Sequence, residues 1–263
     1  MITEFVQASV LLVVLTALLG SAELGYRLGR RNSGSDEAAA SQFGIWEGAL
    51  LGLLALLIGF TFAMAVTRFD GRRELILTEA NSIQQVARRA ETIDAPMGQQ
   101  VTGILRNYVE ARLRFYDAGL SMARTEAAAR EATALQQHLW SYVVEVARAH
   151  PDSEMAALFV EAADELVDAG NARRAALDNH VPVPVFVVLL LVAAAATGAS
   201  GYSCGLRRLR HRFGMIVLPV LITFVVLLVL DLDHPRAGLI KAGQGPMLRL
   251  QQSLSPAPVP QVL

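Results

Sequence analysis

The chain alternates between long apolar runs and one long polar stretch. Four runs, residues 5–22, 48–67, 181–206 and 213–230, approach or exceed the roughly 20 apolar residues that a helix needs to cross a bilayer. Residues 68–180, between the second and third runs, are charged, rich in alanine and free of strand-like alternation. The pattern predicts an all-α protein with four transmembrane spans and a helical-bundle insert between spans two and three.

Helical periodicity begins as soon as the second run ends. The segment "GRRELILTEANSIQQVARRAETID" places these apolar residues on one narrow face: Ile76, Ala80, Ile83, Ala87 and Ala90. No proline separates it from the second apolar run. We therefore expect one continuous helix that carries span two into the insert, with "APMG" as its break.

Three further helices are predicted in the insert. Residues 99–119 share an apolar face and end at Gly119; its members are Val101, Ile104, Leu105, Tyr108, Val109 and Leu113. Residues 121–150 form the next helix, and the last begins after Pro151 with Asp152 or Ser153 as the capping candidate. The predicted domains are spans one and two (1–67), the insert (68–180), spans three and four with a juxtamembrane segment (181–254), and a proline-rich disordered tail (255–263).

Composition agrees with a membrane protein and excludes several classes. Hydrophobic residues make up 53% of the chain and charged residues 18%, with a mean hydropathy of +0.40, whereas soluble domains average about 25% charged. The single cysteine excludes an intramolecular disulfide and a thiolate metal cage. The lipid bilayer is the first partner predicted, and nothing indicates nucleic acid.

Arginine placement predicts the orientation. The two loops that share a side carry Arg27, Arg30, Arg31, Arg207, Arg208, Arg210 and Arg212. The positive-inside rule makes that side cytoplasmic, so the insert and both termini are expected outside the cytoplasm of a bacterial inner membrane. Arginines on the other side oppose this assignment: Arg68, Arg72, Arg73, Arg173 and Arg174.

Span two carries two stripes of interest. The small residues Gly48, Gly52, Ala55, Gly59 and Ala63 share a narrow sector, which is typical of a close helix contact. "GYSCG" repeats this spacing with Gly201 and Gly205 in span three. The alternative is that the stripe, or its edge with Ile58, Phe62 and Val66, faces a pore.

Charges cluster where spans two and four leave the membrane. We expect a salt-bridged collar in which residues of opposite sign pair between the two exits; its members are Arg68, Asp70, Arg72, Arg73, Glu74, Asp231, Asp233, Arg236 and Lys241. Asp231, Asp233 and His234 suggest a metal site less well, because Pro235 ends the helix before further ligands can converge. No metal, cofactor or catalytic motif is predicted, so the chain is not expected to be an enzyme.

The layout and two segments resemble a known family. "RFDGRRELILTEANSI" after span two and "DLDHPRAGLIKAGQGPM" after span four look like the bestrophin-like family of bacterial integral membrane proteins, over nearly the whole chain. The more distant bestrophins are pentameric anion channels in which span two lines an apolar neck and the insert and termini are cytoplasmic. That likeness implies a homo-oligomer, chloride or another inorganic anion as the permeant species, and a neck at Ile58, Phe62 and Val66.

Two functional hypotheses follow from these observations. The first is an oligomeric anion channel whose apolar constriction gates by dewetting. The second is a membrane-anchored interaction or sensing protein whose helical insert binds a partner. A ring of identical subunits favours the channel, whereas a constant foreign partner favours the second.

Overall fold

A computed structural model describes residues 2–32, 37–119, 121–207, 212–233 and 240–255. The predicted all-α fold is confirmed, since every regular element among these residues is a helix. The helices are α1 (Ile2–Arg31), α2 (Glu37–Ala90), α3 (Ala95–Asp117), α4 (Met122–Ala149), α5 (Glu154–Asp178), α6 (Val183–Leu206), α7 (Arg212–Asp233) and α8 (Gly245–Leu254). The predicted tail lies almost entirely outside the described residues.

Among the described residues, four helical stretches are long and apolar enough to cross a membrane, as the sequence predicts. They lie in α1, in α2, in the stretch Glu154–Leu206 that contains α6, and in α7. The chain divides into two compact units, of which the first comprises Met1–Arg68 and His180–Ile240. Its apolar core joins α1, the first part of α2, α6 and α7 through side chains such as Leu18, Leu54, Leu189 and Val226.

The second unit comprises Phe69–Asn179 and the segment from Lys241 onwards. Its core draws on the end of α2 together with α3, α4 and α5, through residues that include Ile83, Leu105, Leu139 and Phe159. The predicted apolar face of α2 is the buried one, because Ile76, Ala80, Ile83 and Ala90 are at most 5% exposed. The amphipathic period therefore predicted both the helix and the side that packs.

The ends of the insert helices follow local rules, with one correction. The break after α2 falls at residues 91–94, whereas "APMG" opens α3 with Pro96 in its first turn. Proline fits there because first-turn amides have no partner within the helix. Ser153 caps α5 by accepting a hydrogen bond from the Ala156 amide, and Gly119 adopts a φ of 55° just after α3.

The second unit also contains α8, a helix that was not predicted from the sequence. Met247 and Leu250 of α8 are buried in the core of the insert, and Leu254 packs against it. The Leu254 carbonyl accepts hydrogen bonds from Nε and Nη2 of Arg106 on α3, at 3.1 and 2.7 Å. The segment after span four is thus integrated into the insert, although the sequence grouping placed it with spans three and four.

Candidate functional site in the span unit and the insert

The glycines of α6 lie against the backbone of α1. A Cβ atom added at Gly201 would overlap the carbonyl oxygen of Ala22, and one at Gly205 would overlap that of Tyr26. The contact is reciprocal, because a Cβ at Gly25 of α1 would overlap the carbonyl of Gly198. The Ser21 hydroxyl also donates a 2.6 Å hydrogen bond to the Ala194 carbonyl. Small residues thus allow two parallel helices to approach at backbone distance.

The small residues of α2 have a different environment. No atom would lie within 4 Å of a Cβ added at Gly48, Gly52 or Gly59, so this face is not covered by the unit to which it belongs. The buried face of the same span is formed by Leu54, Thr61 and Ala65. At 100° per residue, the glycine stripe lies about 140° around the helix from that face.

The proposed neck residues lie between these two faces. Ile58 and Val66 are half-buried, whereas the Phe62 side chain is 38% exposed. Ile58 packs at the border of the span core. The three side chains therefore form a continuous apolar strip one turn apart, next to the uncovered glycine face.

The aspartates at the end of α7 accept hydrogen bonds from backbone amides. Asp233 is 1% exposed; its Oδ1 accepts from the Val181 amide at 3.1 Å, and its Oδ2 lies 3.3 Å from His180 Nδ1. Asp231 accepts from the Ile240 amide at 2.8 Å. A carboxylate beside the N-terminal end of α6 is also favourable because the helix dipole places partial positive charge there. The two aspartates thereby fix the chain entering span three and leaving span four.

The other described collar residues have separate environments, and Arg72 is the buried one. Arg72 is 4% exposed and donates from Nε to the Ala176 carbonyl at 3.0 Å and from Nη2 to that of Asn179 at 2.8 Å. Within its own unit it therefore closes the C-terminal end of α5. The other described members are Arg68, which is half-buried, and the exposed Asp70, Arg73, Glu74 and Lys241. Arg236 lies outside the described residues, and pairing across the collar stays a prediction.

A buried ion cluster lies in the core of the insert and was not predicted as a site. Glu79 is 0% exposed and is surrounded by a tyrosine and two arginines. Its Oε1 accepts a 2.6 Å hydrogen bond from the Tyr108 hydroxyl, and its Oε2 lies 2.5 Å from Arg173 Nη1 and 3.0 Å from Arg112 Nη2. A sequence signal existed, because Glu79 falls on the same helix face as Ile76 and Ile83. A carboxylate on a core face requires buried partners.

The electrostatics of this cluster follow from its charges. Burial alone would raise the pKa of Glu79, but the guanidinium groups of Arg112 and Arg173 outweigh it and hold that pKa below its ordinary value. Burial, followed by the negative charge of Glu79, raises the pKa of Tyr108, so its hydroxyl remains a donor. The cluster thus carries two positive charges and one negative charge in a position shielded from water.

The cluster extends to the segment after span four. Nη2 of Arg173 donates a 3.0 Å hydrogen bond to Oε1 of Gln244, and the Gln244 amide nitrogen bonds the Ala242 carbonyl at 3.2 Å. Gln244 immediately precedes α8. On the other side, Gln136 of α4 donates to the Tyr108 hydroxyl at 3.2 Å. One hydrogen-bonded chain therefore connects α4, α3, α2, α5 and the start of α8.

No group of three or more His, Cys, Asp or Glu side chains within the described ranges could hold a metal ion. His234, part of the metal alternative weighed from sequence, lies outside those ranges. Arg72, Asp231, Asp233 and the members of the Glu79 cluster instead make backbone and ion-pair contacts. These contacts can fix helix ends and the register between helices.

Together these features define a four-span helical membrane protein whose second span continues into a helical insert. The chain belongs to the bestrophin-like family, because the model of the Bestrophin-like domain matches residues 11–247. Comparison with the curated proteins gave no match.

Solved structures show the same fold at low sequence identity. A crystal structure of a point variant of a membrane protein is 13% identical, with a TM-score of 0.67 and coverage of 93% of this chain and 97% of that one. A variant of a bacterial bestrophin homologue from Klebsiella pneumoniae is 14% identical, with a TM-score of 0.62 and the same coverages. The Klebsiella homologue phased by zinc anomalous scattering is 15% identical, with a TM-score of 0.60 and coverages of 94% and 95%.

Proposed function

We propose that this protein is the subunit of a homo-oligomeric anion channel in which α2 lines an apolar neck at Ile58, Phe62 and Val66. The observation that carries the proposal is the uncovered glycine face of α2. In a bilayer, a face of small residues is stabilised by another helix, because small side chains let the two backbones approach closely and pack well. A second copy of the same helix is the occupant that the bestrophin resemblance implies.

The neck strip suits a hydrophobic gate. A ring of apolar side chains at a constriction excludes water and ions until the ring widens. Such a gate needs no carbonyl or charged groups at the constriction itself. The side chains of Ile58, Phe62 and Val66 recur one turn apart, which would stack three such rings along the pore. The exposed charges Asp70, Arg73 and Glu74 follow along the same helix and would set the local potential at the mouth.

The neck is tested by paired substitutions on one helix. Phe60 is 64% exposed and lies about 160° around α2 from Phe62. Purified Phe62→Ala protein in planar bilayers should show a larger unitary anion conductance, whereas Phe60→Ala should conduct as the unaltered protein does. Equal effects of the two changes would place the pore elsewhere.

Assembly separates the channel from the interaction or sensing alternative. Cross-linking in native membranes should give a ladder of multiples of the chain that ends at one ring size. A constant adduct with a different protein, without that ladder, would favour a membrane-anchored partner-binding role. The readout is independent of conductance, so an inactive channel would still be recognised.

Membrane orientation is a separate proposal. The arginine loops predict an extracytoplasmic insert, whereas the bestrophin resemblance implies a cytoplasmic one. In a Cys204→Ser background, Met122→Cys, at a position 76% exposed in the insert, and Ser41→Cys, at the exposed start of span two, give opposite labelling. The charge rule predicts that an impermeant maleimide reaches position 122 in intact cells and position 41 only after permeabilisation. The reverse result would assign the bestrophin topology.

A further inference from the structure

A cavity of about 380 Å³ opens between α4 and α5 on the insert. Polar side chains and one indole contribute to its lining, which includes Thr133, Gln136, Gln137, Trp140, Asp164 and Asn171. Its volume is at the lower end of the range of small-molecule sites. None of the contacts described for the neck, the collar or the α1–α6 pair uses this cavity.

The cavity lining favours a ligand that donates hydrogen bonds, because some of the lining's own hydrogen-bond donors already have partners in the protein. The Thr133 hydroxyl donates to the Ala129 carbonyl at 3.0 Å, and it accepts a 2.8 Å bond from Arg174. One amide N–H of Gln136 is directed away to the Tyr108 hydroxyl. The Gln136 amide oxygen and the Asp164 carboxylate supply acceptors and a negative charge. A ligand that brings N–H donors or an ammonium group therefore meets acceptors at Gln136 and Asp164, while the Arg174 guanidinium is already engaged by Thr133.

Trp140 adds a surface that favours the same ligand class. Its indole is 39% exposed and belongs to the lining. Ammonium groups are attracted to the face of an indole ring, and a carboxylate adds a separate charge attraction. Aromatic side chains recur in sites that bind quaternary ammonium ligands.

The wall of the cavity is also the start of the hydrogen-bonded chain through the insert. Gln136 binds Tyr108, Tyr108 binds Glu79, and Glu79 binds Arg173, which holds Gln244 before α8. Gly170 gives this chain its room, because a Cβ there would lie 2.5 Å from Gln136 Nε2 and 2.9 Å from the Tyr108 hydroxyl. A ligand that engages the Gln136 amide thus acts on a group connected directly to the segment after span four.

We propose that the α4–α5 cavity binds a small organic cation and that the Gln136–Tyr108–Glu79–Arg173–Gln244 chain carries its occupancy to α8. The site would regulate whatever the spans do, and its existence does not depend on anion conduction. The chain contains two tryptophans, so a Trp46→Phe background leaves Trp140 as the only tryptophan reporter in the full-length protein.

Binding is tested with choline and ethanolamine as probes, against equal concentrations of sodium chloride. At least one probe should change Trp140 fluorescence saturably, while sodium chloride should not. Asp164→Asn should weaken binding by about tenfold, the loss expected for one charge contact, and Asp168→Asn, one turn further along α5 and outside the lining, should leave it unchanged. Absence of saturable binding by either probe, or equal effects of the two asparagine variants, would overturn the site.

The coupling is tested by hydrogen exchange of residues 240–255 with and without the bound probe. Occupancy should change the exchange of this segment several-fold in the parent protein, and Gln244→Ala, which removes the far end of the chain and lies outside the cavity lining, should remove the change while the protein stays folded. Calorimetry checks that this variant still binds. Binding without any change in the exchange of this segment would overturn the coupling.

Discussion

Nη1 of Arg173 lies 2.5 Å from Oε2 of Glu79, and Nη2 of the same guanidinium bonds Gln244. A single side chain of α5 therefore connects the buried carboxylate of α2 with the segment that precedes α8. Because both Nη atoms of this planar guanidinium are bonded, it holds in register helices that are remote in sequence. The core of the insert is consequently specified by charge as well as by apolar packing.

Removal of the Glu79 charge should destabilise the insert strongly. Glu79→Gln leaves Arg112 and Arg173 buried without a counter-charge, and such losses cost about 3–5 kcal/mol. Glu145→Gln on the exposed face of α4 is the matched control and should change stability by less than about 0.5 kcal/mol. Chemical denaturation followed by circular dichroism measures both. Similar midpoints for the two variants would show that the cluster is not a determinant of stability.

Acid should weaken the insert through the same carboxylate. The folded-state pKa of Glu79 is lowered, whereas in the unfolded chain it is about 4.3. The unfolded state therefore binds more protons in acid, so the contribution is complete above the unfolded pKa and is lost as pH falls through the folded one. Denaturation midpoints should be insensitive to Glu79 between pH 7 and about pH 5 and should fall in acid. Glu79→Gln should show a shallower acid slope, and identical slopes would contradict the assignment.

The α1–α6 contact should not tolerate one added methyl group. Gly25→Ala places a Cβ against the Gly198 carbonyl, which forces the helices apart and should cost about 1–3 kcal/mol. Gly20→Ala on the same helix meets nothing within 4 Å and should be neutral or slightly stabilising, because alanine favours helix more than glycine does. Thermal unfolding in one detergent compares the two. Equal shifts in Tm would mean that the close approach is not required.

The collar is tested by charge reversal across its members. Asp70→Arg should lower the yield of folded protein, and a second change, Lys241→Glu, should restore part of it if the two positions interact. Interaction energies between contacting charges exceed the error of additivity, whereas distant sites simply add. Size-exclusion yield and the thermal midpoint of the single and double variants complete the cycle. Strict additivity would remove this pair from the collar.

Local sequence rules predicted the helices because each rule acts over a few residues. The face of α2 that includes Ile76 and Ile83 follows from the 3.6-residue period, and Ser153 follows from capping chemistry. The glycine spacing of α6 indicated close packing, but it could not name α1 as the partner. That assignment depends on tertiary arrangement, since Gly25 and Gly198 are far apart in sequence.

The buried cluster and α8 illustrate what local patterns leave open. Glu79, Arg112 and Arg173 lie on three helices, and no spacing rule relates their positions. The α8 helix is short, lies between a charged exit and a proline-rich tail, and depends for its helical state on the burial of Met247 and Leu250. Isolated helices of that length are marginal in water. Its place was therefore set by tertiary contact, which the sequence pattern does not encode directly.

Planar-bilayer recording of the purified protein with asymmetric chloride tests the central claim most directly. The proposed channel predicts unitary currents that reverse near the chloride equilibrium potential, with a conductance that changes on Phe62→Ala and not on Phe60→Ala. Absence of chloride current over a wide range of voltage and pH, from protein shown to be folded and assembled, would contradict the channel.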